Sequence, residues 1–227
     1  MPPRISVIIP TFNESAVIEK TLKHLPRRGD VERIVADGGS SDGTAALAGP
    51  WADRVLTTET GRARQMNAGA RASRGDVLLF LHADSRLAYG AFDAVTQALK
   101  DPAMAGGAFA LAIDSPRPVL RLVAAAANWR SRLTRISYGD QGIFVRRSVF
   151  ERLGGYPDLP IMEDLEFSRR LKRAGKVALL SVPITTSSRR WDNEGIGTTT
   201  LRNQIFVLAY FLGVSPVRLA GRYRPIR

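Results

Sequence analysis

The run Gly75 to Ser85, GDVLLFLHADS, constrains this 227-residue chain more than any other stretch. Val77 to Leu81 is an apolar run with the length and the β-branched and aromatic content of a strand buried in the middle of a parallel sheet. It turns polar at His82, Ala83, Asp84 and Ser85. Ligands of open α/β sheets collect just beyond the carboxyl ends of strands, so a carboxylate emerging there is placed to hold a divalent cation against phosphate. The plainer alternative is that Asp84 caps a following helix.

The N-terminal part follows the same strand-then-loop logic. A strand is predicted over Ile5 to Ile9 and closed by Pro10, which cannot donate to a ladder. Thr11 to Glu14 form a loop before a helix from about Ser15 to Leu25, with Val17, Ile18, Thr21, Leu22 and Leu25 on one face. A second strand, Val31 to Ala36, ends in DGGSSDGT, Asp37 to Thr44, where glycines permit positive φ and Ser41 or Asp42 can start a helix. A short third strand is expected near Arg54 to Thr57, and a helix over Gly61 to Ala70. In that helix Arg64, Gln65 and Asn67 either address a nucleotide or lie on an ordinary surface. Strand, helix, strand, Gly-rich turn, helix describes a right-handed βαβ unit of a nucleotide-binding fold. Asp37, an acceptor at the second strand's end, suits a base or ribose donor. Neither G-x-G-x-x-G nor G-x-x-x-x-G-K-[ST] occurs, which weakens dinucleotide and ATPase readings.

Composition excludes further classes. A chain of this length suits one large domain or two closely packed halves, and 44% hydrophobic residues rule out disorder. The absence of Cys removes disulfides and thiolate sites and fits a reducing cytoplasm. The opening MPPRISVIIPTFNE has neither a signal peptide's pattern nor a membrane span's length. The net charge of +12 rests on 28 Arg and five Lys spread along the chain, without aromatic interleaving or a DNA-reading motif. No nucleic-acid partner is therefore expected.

In the second half, Ala105 to Ile113 reads as a strand entered through a flexible Gly106–Gly107 pair, and Val119 to about Arg132 as a partly apolar helix. Gly139, Asp140 and Gln141 precede another strand. A short helix from Arg146 ends at Gly154 and Gly155. Glu163 and Asp164 open a helix that runs to Gly175, where acids favour the helix dipole in any case. Val177 to Val182 is the last predicted strand, ended by Pro183.

SVIIPTFNE, ADGGSSDGT, RQMNAGARASRGDVLLFLHADS and MEDLEFSRRL resemble, in order, the motifs of family 2 inverting glycosyltransferases with the GT-A fold. The resemblance implies an α/β fold with a Rossmann-like, mostly parallel central sheet flanked by helices. It divides the chain into a nucleotide-sugar-binding half, 1–100, an acceptor-binding half of the same domain, 101–190, and a C-terminal segment, 191–227. It also implies roles. Pro10, Thr11 and Glu14 line the nucleoside pocket, Asp37 and Gly38 face the base, and Arg64 or Gln65 touches the nucleotide. Asp84, with His82 and Ala83 before it, meets the pyrophosphate and holds Mg²⁺ or Mn²⁺. Asp164 is the general base, with Glu163 beside it as a second catalytic candidate. Gly139, Asp140 and Gln141 lie against the donor sugar. His82 stands where the family has the first Asp of Asp-x-Asp, leaving it as a ribose or phosphate donor, a metal ligand or a structural His.

Ser187 to Trp191 partly resemble the Gln-x-x-Arg-Trp motif of processive members, with Ser187 in place of Gln. Arg189 or Arg190 then closes over the diphosphate, and Trp191 stacks on an acceptor. The compact HADS form is most similar to a bacterial subgroup labelled for arsenosugar biosynthesis. The apolar run Ile205 to Leu212 either packs on the core, pairs two subunits as a homodimer, or lies on the inner membrane surface with Arg202, Arg218, Arg222 and Arg224 near anionic headgroups. Packing ranks first.

The implied chemistry is transfer from a nucleotide-sugar donor, UDP-sugar favoured, to an acceptor hydroxyl. A metal and cations neutralise the leaving diphosphate while one carboxylate takes the acceptor's proton. Two rivals are a sugar nucleotidyltransferase, which calls for a Gly-rich basic loop where PTFNE stands, and a non-catalytic basic membrane-surface module. The transferase reading requires Asp37, Asp84 and Asp164 to meet in one cleft.

Overall fold

The computed structural model describes residues 3–222. Arg224 of the tail lies outside them. Among the described residues eight strands form one sheet in the order β3-β2-β1-β4-β7-β6-β8-β5. They are β1 Ile5–Thr11, β2 Val31–Asp37, β3 Arg54–Thr57, β4 Val77–Phe80, β5 Ser85–Leu87, β6 Met104–Asp114, β7 Ile143–Arg146 and β8 Lys176–Ser187. Parallel pairing joins β1 to β2 and β4, β2 to β3, and β6 to β8, while β7 runs antiparallel to β4 and β6, and β5 to β8.

Both faces of the sheet are covered. Along β1 and β4, Val7, Ile9, Leu79 and Leu81 point into one apolar core, and Ile8, Leu78 and Phe80 into the other. This is the period-2 alternation of a strand buried on both sides. The first core takes helices α1 Ile18–His24, α2 Thr44–Ala48, α4 Ala91–Ala98 and α5 Pro118–Thr134. The second takes α3 Arg62–Ala72, α6 Arg147–Arg152 and α7 Glu163–Ala174. Among the described residues three helices follow β8: α8 Arg189–Glu194, α9 Ile196–Phe211 and α10 Pro216–Ala220. Among the described residues no helix is long and apolar enough to cross a membrane.

Both prolines expected to end strands lie inside them. Ile8 accepts from Leu81 and Thr11 from Gly38, so residue 10 faces the β4 side beyond the last pairing, Ile8 with Phe80. No ladder donor is needed there, and β1 continues to Thr11. Pro183 sits where the β6–β8 register slips between Phe109 and Ala110, a bulge that tolerates a missing N–H, so β8 runs on to Ser187. The helix expected from Ser15 begins only at Ile18, after turns in which Glu14 O accepts from Val17 and Ile18. The segment after Asp84 is strand β5 and not a helix, so Asp84 is no helix cap.

Gly106 and Gly107 are packed rather than flexible. A Cβ on Gly106 would lie 2.3 Å from Phe144 O, and one on Gly107 2.4 Å from Ala178 O. Gly69 plays the same part on α3, where a Cβ would lie 2.4 Å from Ile8 Cγ2. Because Ile8 is fully buried, Gly69→Ala should cost about 1–3 kcal/mol through overpacking. Urea denaturation should show a lower midpoint at unchanged slope. An unchanged midpoint would mean that α3 can lift off β1 freely.

Candidate active site

The carboxyl ends of β1, β2 and β4 meet one another, and two loops are braced there. Asn13 N donates to Ser40 Oγ (2.8 Å), Ser41 N to Asn13 Oδ1 (3.0 Å), Glu14 N to Thr44 Oγ1 (2.8 Å) and Ser15 N to Asp42 Oδ2 (3.0 Å). Asp37 organises this turn from within. Its Oδ1 accepts from Thr11 Oγ1 (2.9 Å) and Ser40 Oγ (2.6 Å), and its Oδ2 from Gly39 N (3.1 Å) and Ser40 N (2.8 Å). At 2% exposure it opens onto no surface, contrary to the expectation that it faces a base.

Gln65 is likewise turned inward. Its Nε2 donates to Thr11 O (2.6 Å) and Ala36 O (2.9 Å), and it leaves so little space at Gly38 that a Cβ there would sit 3.1 Å from the same nitrogen. Arg64 bonds Glu59 and Asp158 at the surface, and Asn67 holds the Tyr156 backbone. All three side chains expected to address a nucleotide thus make contacts that hold the fold together. Gln141 does the same in the turn before β7, whose first residue pairs with Phe80. Fully buried, it accepts from Ser131 Oγ (2.8 Å) and Tyr138 N (3.2 Å), so it fixes the turn Gly139–Gln141 and does not line a sugar site.

Five other side chains do come together. Arg189, at the start of α8, reaches back to Glu14 Oε2 (3.0 Å) and Asp84 Oδ2 (3.2 Å) through one nitrogen, Nη2. Asp164 Oδ2 accepts from Gly139 N at 2.6 Å. A Cβ at Gly139 would lie 2.8 Å from His82 Nε2 and 3.1 Å from Asp164 Oδ2, so His82 and Asp164 close around that glycine. His82 feels Asp84, Asp164, Arg62 and Arg190, and Asp140 feels Asp164 and Asp84. Asp84 and Asp164 therefore share one cleft with His82, while Asp37 lies beneath its neighbouring wall. Ala83 is buried, its carbonyl held by Thr21 Oγ1 (2.5 Å), which fixes the His82–Asp84 turn. Pro10 is half-buried beside this turn's strand, and Trp191 bonds Thr200 on α9 through Nε1 (3.4 Å).

The charges are strongly perturbed. Burial, reinforced by Arg62, lowers the His82 imidazolium to about 4, so the ring is neutral at neutral pH. Burial raises Asp140 to about 6 against the pull of Arg130. It raises Glu163 to about 7, with Asp164 adding to the push and Arg62, at 3.7 Å, opposing it. Burial also raises Glu14 despite Arg189.

Arg62 was not singled out by sequence, yet it bears on Glu14, His82, Glu163 and Arg190. Its only signal is position, the first residue of a helix that opens beside the strand ends. Arg130 was also missed. It lies 3.5 Å over the Tyr138 ring and carries the turn's Gln141.

Among the described residues no three His, Asp or Glu side chains gather as a metal cage. The Asp84 carboxylate is the hard oxygen donor that a cation of the Mg²⁺ type takes, such a cation completing its shell from substrate phosphate and water, whereas the His82 imidazole is a nitrogen donor outside that preference.

A family model described as "Glycosyl transferase family 2" matches residues 6–154. A probable glycosyltransferase of Bacillus subtilis, YdaM, is 27% identical over 201 residues, 76% of this chain and 47% of that protein. The mannosyltransferase PcManGT from Pyrobaculum calidifontis, solved with GDP-Man and Mn²⁺, superposes with a TM-score of 0.61 at 24% identity, covering 82% of this chain and 57% of that one. S. aureus TarS 1-349 with UDP-GlcNAc gives 0.66 at 16% identity over 81% and 58%. These structural likenesses show the GT-A fold. The chain spans less than half the length of the first curated relatives it matches, 41%, 47% and 37%.

The raised Glu163 carboxyl has a measurable consequence. The folded protein keeps a proton that the unfolded chain loses near 4.5, so between pH 4.5 and about 7 this group makes stability fall as pH rises. Glu163→Gln should therefore stabilise the protein by about 1–3 kcal/mol at pH 8 and give no such gain at pH 4. Denaturant titrations at the two pH values test this. An equal effect at both would mean that Glu163 ionises as freely as a surface acid.

Proposed function

Because the chain belongs to glycosyl transferase family 2, we propose that it transfers a sugar, with inversion, from a nucleoside-diphosphate donor, UDP favoured, to an acceptor hydroxyl. The observation that supports this reading is that His82 and Asp164 close around Gly139 while Asp84, two residues from His82, bonds Arg189, with Arg62 and Arg190 near enough to act on His82. A sugar nucleotide needs such a pairing of a cationic wall for the diphosphate with one carboxylate on the sugar side.

Arg189 is held by Glu14 and Asp84. A diphosphate entering there can take over the guanidinium, which binds phosphate oxygens in a paired fork. Arg62 and the partly buried Arg190 add positive charge on the same side. Asp84, with His82 beside it, would hold the divalent cation, and the Mn²⁺ of the mannosyltransferase structure supports its use. When bound, that cation would neutralise charge developing on the leaving diphosphate.

The acceptor oxygen forms its bond to the anomeric carbon as the bond to the β-phosphate oxygen breaks. The electron pair leaves with the diphosphate, and the hydroxyl proton passes to Asp164. The Gly139 N–H holds Asp164 Oδ2 in position while leaving the carboxylate a lone pair to receive that proton. Asp37 and Gln65 act one layer back, keeping the Gly-rich turn and the Thr11 strand end in the shape of a base pocket. Half-buried Pro10 and Glu14 stand at its rim, Asp140 lies on the donor-sugar side and Trp191 on the acceptor side. The donor- and acceptor-binding halves, 1–100 and 101–190, share the one sheet.

Calorimetry with UDP, GDP and CDP, with and without Mn²⁺, tests donor binding. Metal-dependent binding of UDP or GDP should appear and should be lost in Asp84→Ala. Metal-independent binding unaffected by that change would remove Asp84 from the site. For the chemical step, Asp164→Asn should lower transfer by about 10²–10⁴-fold while nucleotide affinity is retained. Gly139→Ala, which drives a methyl against His82 and Asp164, should also lower turnover more than donor binding. Wild-type turnover in Asp164→Asn would refute its role as base.

A further inference from the structure

Two helices expose apolar stripes in acid-free stretches of the chain. On α5, Val119, Leu122, Ala126, Trp129 and Leu133 recur at helical spacing on the solvent side, with Leu122 70%, Trp129 66% and Leu133 63% exposed. The opposite face, Leu120, Ala124 and Ser131, is buried. On α9, Leu201, Ile205, Leu208 and Leu212 form a second stripe, opposite buried Thr199 and Phe206. The expectation that the tail's apolar run packs on the core is thus met by only part of it.

The helices that carry these stripes end on the same two neighbours. Arg117, at the start of α5, bonds Asp192 of α8 (3.2 Å), and α9 follows α8 directly. At their other ends both helices reach α7: Thr134 O accepts from Lys172 Nζ (2.7 Å), and Tyr210 donates to Glu166 (3.0 Å). Both therefore run from α8, which carries Arg189 and Arg190, to α7, which carries Asp164.

Charge selects the occupant. No Asp or Glu occurs from Ser115 to Gly139 or from Gly195 onward. Exposed Arg117, Arg121, Arg132 and Arg135 border the α5 stripe, and Arg218 and Arg222 follow α9. A second copy of a chain with net charge +12 would bring like charge to this face. A bilayer containing anionic lipid offers headgroups to the arginines and acyl chains to the leucines and Trp129, the division of labour of an interfacial helix.

We propose that the α5–α9 side docks on an anionic membrane surface, presenting the wall of the cleft to the bilayer interface. This docking is independent of the transfer chemistry. Arg202 is paired to Glu194 and is left to brace α9 on α8.

Co-flotation of the full chain with vesicles of phosphatidylcholine and phosphatidylglycerol tests it, against vesicles of phosphatidylcholine alone. The mixed vesicles should be bound preferentially. Binding should weaken at about 1 M salt, where the Debye length falls to about 3 Å. Trp emission should shift to the blue in wild type and much less in Trp129→Phe. Leu122→Asp and Leu208→Asp should each lower vesicle affinity about tenfold. Leu47→Asp, on the exposed side of α2, should leave it unchanged. Calorimetric UDP binding should be the same in all of these variants, so a failed membrane result and a failed donor result remain distinct. Absence of binding to the mixed vesicles, binding indifferent to Leu122→Asp and Leu208→Asp, or a concentration-dependent dimer abolished by those changes would overturn the proposal.

Discussion

The site depends on one packing contact, the seating of α7 against the end of β4. Phe80 is the last residue of β4, and Phe167 lies one turn into α7. Tyr156 bridges them, edge-on to Phe80 with centroids 4.8 Å apart and stacked on Phe167 at 4.2 Å. Phe150 closes the group at 5.4 Å from Phe80 and 5.6 Å from Phe167. Aromatic clusters of this kind combine large apolar burial with preferred ring geometries, so they fix relative position as well as stability. Two residues beyond Phe80 comes His82, and three before Phe167 comes Asp164. The cluster thus turns a separation of more than eighty residues along the chain into a shared cleft.

Burying these groups beneath the same surface has an electrostatic cost: loss of solvent raises the carboxyls of Glu14, Asp140 and Glu163, against the pull of Arg189, Arg130 and Arg62, and lowers His82. A chain selected only for stability would not bury so many unlike groups at one point. The arrangement is intelligible if a polyanion completes it. Phosphate charge would offset Arg62, Arg189 and Arg190 and would free Glu14 and Asp84 from their shared guanidinium.

Much of this was legible in the sequence. The apolar runs of β1, β2 and β4 gave the sheet's centre, and the abrupt change to His82–Asp84 marked the cleft. Glu163 and Asp164 were readable as the start of a helix. What sequence obscured was the direction a polar side chain takes. Asp37, Gln65 and Gln141 look like ligand-binding groups because they stand in loops or at helix starts, yet each is used up by backbone and hydroxyl partners that only the fold brings near. Gly106 and Gly107 suggested flexibility but mark close approach to neighbouring strands. The prolines misled for a related reason. Whether a missing N–H matters depends on which neighbour it faces, and residue 10 faces a strand that has already ended. Arg62 was hidden among 28 arginines, and nothing local distinguishes it.

The most direct test of the convergence of Asp84 and Asp164 is a crystal structure of the chain with UDP or GDP and Mn²⁺, the metal located by its anomalous scattering. Mn²⁺ should lie beside Asp84, with phosphate oxygens taken up by Arg62 and Arg189 and Asp164 facing the open end of the β-phosphate across from His82. Nucleotide bound at another surface, or a metal remote from Asp84 with Arg189 still held by Glu14, would contradict it.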